Sequence, residues 1–256
     1  MTLLELHDVT AGFGAVTVLH GITMSVAEGS IAGVFGLNGA GKSVTMKTIG
    51  GTVPARSGQV LFEGEDITRL SPEKRVARGM GHVPQGRQVF PQLTVEENLR
   101  LGAYTLRRKD KGRYGPALDS VFDRFPVLKE RRQQLAGTMS GGQQASLAVA
   151  RALINQPRLI LVDEPSAGLS PVAQLELREV LQVVKDSGVT MVLVEQNIAF
   201  GLSLVDTAHL LQTGVVVHTA PVSELDDDTL ATHLGIGKVL AGATGSALSA
   251  RKGSKR

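Results

Sequence analysis

Apolar residues along the chain come in short runs broken by glycine and charge, and their spacing predicts the elements. Residues 3 to 35 read as short strands turning at Gly12, Gly14, Gly21 and Gly29. "SIAGVFG" reads as a buried strand that runs into a glycine-rich loop. "SVTMKTIGG" then predicts a helix ending near Gly50 and Gly51, and "GQVLFEGEDI" one arm of a hairpin. From about Thr94 to Leu135 the pattern changes. "TVEENLRLGAYTLRRK" opens with Thr94 and Glu97 at capping-box spacing, is charged, and lacks strand-like apolar runs. It predicts a helical subdomain, over about residues 94–140, inserted into an α/β core. Strands resume at "RLILVDE" and "TMVLVEQ" with a helix over about residues 171–186 between them. That succession implies a parallel sheet with right-handed crossovers. "HLLQTGVVVHTAP" predicts a late hairpin turning at Thr213 and Gly214. Residues 1–237 thus read as the folded domain and 238–256, rich in Gly, Ala, Ser and Lys, as a disordered basic tail.

Composition narrows this picture. With 256 residues, 42% of them hydrophobic, the chain can build one sizeable core. Aromatics are 4% and Trp is absent, so Ala, Val, Leu and Ile fill the apolar positions, as suits strands covered by helices. Cys is absent, which excludes disulfides and thiolate metal sites. The net charge of +3 is a property of the end: "RKGSKR" carries two Arg and two Lys, and without it 23 basic residues face 24 acidic ones. That remainder, at −1, lacks the charge of a nucleic-acid binder. The basic end reads as solvated chain; the sharper alternative is attraction to an anionic membrane surface. No run approaches the ~18–20 apolar residues of a membrane span. "MTLLELHDVT" is not a signal peptide, so a chain in the cytosol or peripheral to a membrane is expected.

Three stretches carry chemistry. "GLNGAGKS" matches G-x-x-x-x-G-K-[ST] with a strand before it and a helix after it. Gly36, Leu37, Asn38, Gly39, Ala40, Gly41, Lys42, Ser43 and Val44 form the expected phosphate cradle. Its N–H groups and helix dipole favour anions, Lys42 reaches the β and γ phosphates, and Ser43 offers a hydroxyl to Mg²⁺. In "LILVDEP" an apolar strand ends in Asp163 and Glu164. Adjacent strand residues point in different directions. Asp163 is therefore assigned to Mg²⁺, through water, and Glu164 to polarising or deprotonating an attacking water. In "TMSGGQQASLAVARAL", Ser140 and Gln143 form a capping-box pattern before a stripe of Ala148, Val149, Ala152 and Leu153. A plain helix start leaves Gly141 and Gly142 unexplained, since each costs ~1 kcal/mol relative to Ala in a helix. Small residues there let another surface approach the helix N-terminus, a second phosphate cradle. One triphosphate needs one cradle, so the second points to another molecule's nucleotide.

In order and spacing these stretches resemble the nucleotide-binding subunits of ATP-binding-cassette (ABC) transporters, over about residues 3–235. "GLNGAGKS" is similar to the Walker A motif, "MSGGQ" to the family signature and "LILVDE" to Walker B. The resemblance implies a P-loop NTPase (RecA-like) parallel-sheet core with an antiparallel β arm, and ATP and Mg²⁺ as cofactors. It implies a head-to-tail dimer with a second ATPase subunit, itself or a sister chain. The signature of one subunit (Ser140, Gly141, Gly142, Gln143) would close over the ATP held by the other. It places Phe13, in "GFG", against adenine, and Gln85, in "HVPQGR", where a glutamine links Mg²⁺ and the attacking water to transmembrane permease subunits. "HVPQGRQVFPQLTVEENL", "LVDEPSAGLSP" and "LVEQN" resemble the cassettes of bacterial branched-chain amino acid importers; urea and short-chain amide importers share much of the pattern. Such importers sit at the inner membrane and receive solute from a periplasmic binding protein.

Two positions depart from the family. Gln196 stands where a histidine usually contacts the γ-phosphate; Gln donates a hydrogen bond without carrying charge. Ser170 stands where the D-loop usually ends in Asp. Two other classes fit less well. A soluble relative acting on DNA or ribosomes would carry a long coiled-coil insertion or two cassettes. A GTPase or nucleotide kinase would leave "MSGGQ" without a purpose, and no N-K-x-D for guanine is present.

Overall fold

A computed structural model describes residues 1–86, 88–109 and 111–234; the proposed 238–256 tail lies outside these. The chain forms two compact units, one of Met1–Arg69 with the segment from Val192 onward, the other of Leu70–Met191.

The first unit opens with β1 (Thr2–Phe13) and β2 (Val16–Ala27), an antiparallel pair, followed by β3 (Ile31–Phe35), α1 (Lys42–Gly50), β4 (Ala55–Phe62) and β5 (Glu65–Asp66). Four of these strands make an antiparallel sheet in the order β2-β1-β4-β5. Gly14 and Gly29 turn the chain as the sequence suggests, but Gly12 and Gly21 lie inside 12-residue strands. Val9 pairs with Ile22 and Thr10 with His20, which leaves Gly21 as an extra residue with φ +86°. It is a bulge that kinks β2 without ending it, and a bulge glycine looks like a turn glycine in sequence.

The second unit holds α2 (Pro72–Ala77), β6 (Met80–Val83), α3 (Val95–Gly102), α4 (Tyr104–Lys109), α5 (Tyr114–Arg124), α6 (Pro126–Glu130), α7 (Gly141–Leu153), β7 (Leu159–Asp163) and α8 (Pro171–Asp186). The capping box at Thr94 is complete: Glu97 N donates to Thr94 Oγ1 and Thr94 N to the Glu97 carboxylate. The two ends of the helical stretch meet, since Thr94 bridges Leu135 and Ala136 N donates to Leu93 O. Strands β6 and β7 pair in parallel from Met80–Leu159 to Val83–Val162. Helix α8 buries Leu177, Leu181 and Val184, one stripe at helical spacing.

Strand β8 (Thr190–Val194) carries the chain back to the first unit, which closes with α9 (Ile198–Leu202), β9 (Thr207–Gln212), β10 (Val215–Pro221) and α10 (Asp227–Leu234). There β9 pairs in parallel with β3 and antiparallel with β10. The hairpin turns at Thr213 and Gly214, both with positive φ, the geometry that matches strand twist. Every residue of β3, β7 and β8 is buried. Strands covered on both faces select continuous apolar runs, and each fully buried Val, Leu or Ile contributes about 1.5–3 kcal/mol.

Candidate functional site

The buried strand β3 delivers the chain to Gly36, and Leu37, Asn38 and Gly39 stand exposed beyond it. Helix α1 starts after Gly41, whose φ of +107° is left-handed backbone and whose missing side chain cannot cap the helix. Its first turn therefore has no side-chain acceptor for the N–H groups that a helix leaves unpaired. Lys42 is buried, and its Nζ donates to Gly36 O at 2.8 Å and Leu37 O at 3.2 Å. The ammonium thus lies inside the loop, beside uncapped donors, and the ensemble attracts an anion of phosphate size. Ser43 and Val44 follow in the same turn, partly exposed.

Phe13 is 52% exposed, which excludes a core role, and Lys47 Nζ lies 6.0 Å from its ring centroid. Also in the first unit, Gln196 is exposed just past β8. The buried Glu195 carboxylate accepts the N–H groups of Gln196 and Asn197 at 3.2 and 3.3 Å, which fixes that turn.

In the second unit, β6 and β7 run parallel, so their carboxyl ends lie side by side, where α/β sheets place ligands. Asp163 ends β7 and is 6% exposed. Glu164 has φ +44°, which turns its side chain out of the strand's alternation. Gln85, two residues past β6, donates from Nε2 to Glu164 Oε2 at 2.8 Å. The structure therefore joins two residues 79 apart that were singled out separately. The hydrogen bond engages one carboxylate oxygen, Oε2.

Helix α7 starts with a complete capping box: Gln143 N donates to Ser140 Oγ at 3.2 Å and Ser140 N to Gln143 Oε1 at 3.1 Å. At Gly142 the space above the helix start is not left open for another surface. A Cβ there would overlap the Glu176 carboxylate of α8, so this chain itself fills that space. Ser170 has a local function too: as N-cap of α8 it accepts from Ala173 N at 3.3 Å, ahead of Pro171. Ser and Asp are near-equivalent caps, so this departure conserves the helix start.

Sequence reasoning missed Asn98. Fully buried on α3, it accepts from Phe90 N at 2.9 Å and donates to Phe90 O, Leu93 O and Thr94 O. It locks the segment that follows Gln85. The signal was present: an amide on the apolar face between Val95 and Leu99. Arg151 of α7 lies 5.3 Å over the Phe90 ring and packs on the same segment.

The Ser43 hydroxyl and the Asp163 carboxylate are each oxygen donors, the type Mg²⁺ prefers, and Mg²⁺ takes few protein ligands besides phosphate and water. The residues present fit that ion. Among the described residues no group of three or more His, Asp or Glu forms a metal cluster, and no helix is long and apolar enough to cross a membrane.

An uncapped helix behind a glycine loop, a lysine folded into that loop, and a strand ending in a positioned carboxylate define a P-loop nucleoside triphosphatase. Comparison with known proteins sharpens the class. Residues 19–167 match the ABC transporter family. The high-affinity branched-chain amino acid transport ATP-binding protein BraG of Pseudomonas aeruginosa is 41% identical over 84% of this chain and 91% of its own. The probable branched-chain amino acid transport ATP-binding protein LivF of Archaeoglobus fulgidus is 38% identical over 87% and 94%. The lipopolysaccharide export system ATP-binding protein LptB of Escherichia coli K12 is 27% identical over 89% and 95%. A solved nucleotide-free ATP-binding cassette from an ABC transporter superposes with TM-score 0.79 at 26% identity, covering 94% of this chain and 98% of that one. The chain belongs to the ABC transporter family, as an ATP-binding cassette whose ATP hydrolysis is coupled to transport.

Proposed function

We propose that this chain powers import of branched-chain amino acids across a bacterial inner membrane, from the cytoplasmic face, bound to permease subunits that a periplasmic binding protein supplies. The relatives support the solute class: 41% identity to a branched-chain amino acid ATPase against 27% to a lipopolysaccharide export ATPase. The working form is a head-to-tail dimer of ATPase subunits, in which Ser140, Gly141, Gly142 and Gln143 of each meet the nucleotide of the other. Phe13 stacks on adenine, the loop from Gly36 to Val44 holds the phosphates with Lys42, and Gln196 donates to the γ-phosphate. Ser43, Gln85 and Asp163 hold Mg²⁺, which supplies charge neutralisation to the phosphates.

The observation that carries the mechanism is the Gln85–Glu164 hydrogen bond at 2.8 Å. It aims the carboxylate, whose other oxygen takes the proton of the water attacking the γ-phosphorus. Gln85 precedes the segment that Asn98 and Arg151 hold, so movement of that segment is passed to the base through Gln85. ATP favours the closed dimer because its γ-phosphate contacts both halves; cleavage and phosphate release remove that differential affinity. The helices of 94–140 pass the motion to the permease. The complex purified from its native membrane and placed in vesicles tests the solute. ATP-driven uptake of leucine, isoleucine and valine is expected; uptake of urea or amides without leucine would overturn the assignment.

A further inference from the structure

Phe13 sits at the end of β1, next to the two-residue turn of Gly14 and Ala15, with Val16 on the far side 65% exposed. A hairpin tip with so little burial frays on its own. Arg56 spans it. Strand β4 pairs with β1, with Ala55 opposite Ala11 and Ser57 opposite Thr10, which brings Arg56 alongside the tip. Its Nη2 donates to Gly14 O at 2.7 Å and Val16 O at 3.0 Å, and its Nη1 to Thr17 Oγ1 at 2.8 Å. Gly14 lies in the turn and Val16 and Thr17 begin the outgoing strand, so one planar fork, carried on a strand paired with β1, ties the turn to β2. Lys47 rests over the Phe13 ring at 6.0 Å, the outer range of a cation–π contact.

We propose that Arg56 is a positioning residue for the nucleobase: it holds the hairpin tip so that Phe13 is ordered before adenine arrives. This rests on Phe13 being the residue that stacks on adenine. Ordering a loop only when ligand binds weakens binding by the entropy lost, so a pre-ordered tip raises affinity for the base without touching it. The phosphates are held elsewhere in the same unit, by the loop around Lys42, and are indifferent to Arg56.

Calorimetric titration of the full chain with ATP and with inorganic triphosphate separates the two. Arg56→Met is expected to weaken ATP about three- to tenfold, the cost of ordering one or two side chains or turn residues, and to leave triphosphate unchanged. Arg56→Lys, with a point charge in place of the fork, should fall between wild type and Arg56→Met. In a Phe13→Ala background, Arg56→Met should have no further effect. Equal losses for ATP and triphosphate, or additive losses in the double variant, would overturn the proposal. If Phe13→Ala weakens ATP and Arg56→Met does not, Arg56 alone is refuted. If Phe13→Ala leaves ATP affinity intact, the adenine role of Phe13 fails and the role of Arg56 fails with it. Arg56 is exposed, and an unchanged melting temperature confirms that the variants fold.

Discussion

Helices α1 and α7 both begin beside glycine, both read as phosphate cradles, and they differ in how their first turns are satisfied. Helix α1 starts at Gly41 with no side-chain cap and a buried lysine behind its loop. Helix α7 starts at Ser140 with both halves of a capping box in place. An uncapped start is incomplete until an anion arrives, whereas a capped start is stable alone. The first therefore suits the proposed phosphate site of this chain's own loop. In the proposed dimer, the second meets the partner's nucleotide only when the two subunits close.

The largest effect should come from the step that both cradles serve. Glu164→Gln is expected to lower ATP turnover by about 10²–10⁴-fold, the usual contribution of a general base, while nucleotide binding survives. Unhydrolysed ATP should then accumulate a closed dimer, visible by gel filtration. Unchanged turnover would remove Glu164 from the chemistry. Next is the uncapped cradle itself. Lys42→Ala should weaken ATP binding by about a hundredfold or more, since removing one partner of a desolvated charge pair costs about 2–5 kcal/mol. Normal affinity, measured by calorimetry, would mean that the loop's N–H groups suffice.

The comparison also has a pH axis. His209 on β9, buried and 2.9 Å from Thr219 Oγ1, has its pKa pushed down by burial from 6.5 to about 4. The unfolded chain then takes up its proton first as acid is added. The stabilisation is complete above pH 6.5 and is lost as pH falls towards 4, by about 3 kcal/mol in all. The capping box of α7, a hydroxyl and an amide, does not titrate. Urea midpoints at pH 7.5, 5.5 and 4.5 should decline, and His209→Gln should flatten the decline. An identical slope in the variant would place the acid sensitivity elsewhere.

What could be read from the sequence was local in it. The strand, glycine loop and helix around Lys42, both capping boxes and the turn at Thr213 each occupy a few consecutive residues whose chemistry names the geometry. What could not be read lies between distant residues. Arg56 reaches Gly14, Val16 and Thr17 across a strand pairing, and Glu176 occupies the space over Gly142 across a helix packing. Gly21 is a bulge and not a turn, a distinction its sequence hides because both call for the same residue. The Gln85–Glu164 bond stands between these cases. Both residues were marked by motif, but only the parallel pairing of β6 with β7 brings them together.

The smallest effect distinguishes the two cradles most sharply. The Ser140 hydroxyl accepts from Gln143 N through a lone pair and keeps its own proton to donate. Capping and binding a phosphate are therefore compatible, and different substitutions separate them. Ser140→Ala removes both. It should cost about 1 kcal/mol of stability, a drop of about 2–4 °C in melting temperature for a chain of this size, together with dimer-dependent turnover. Ser140→Asp keeps a good cap but replaces the donor with a negative charge. It should melt near wild type, bind ATP normally through α1, and lose the turnover that rises with protein concentration. If Ser140→Asp turns over like wild type, α7 is only a well-capped helix, and its resemblance to α1 has no part in holding the partner's nucleotide.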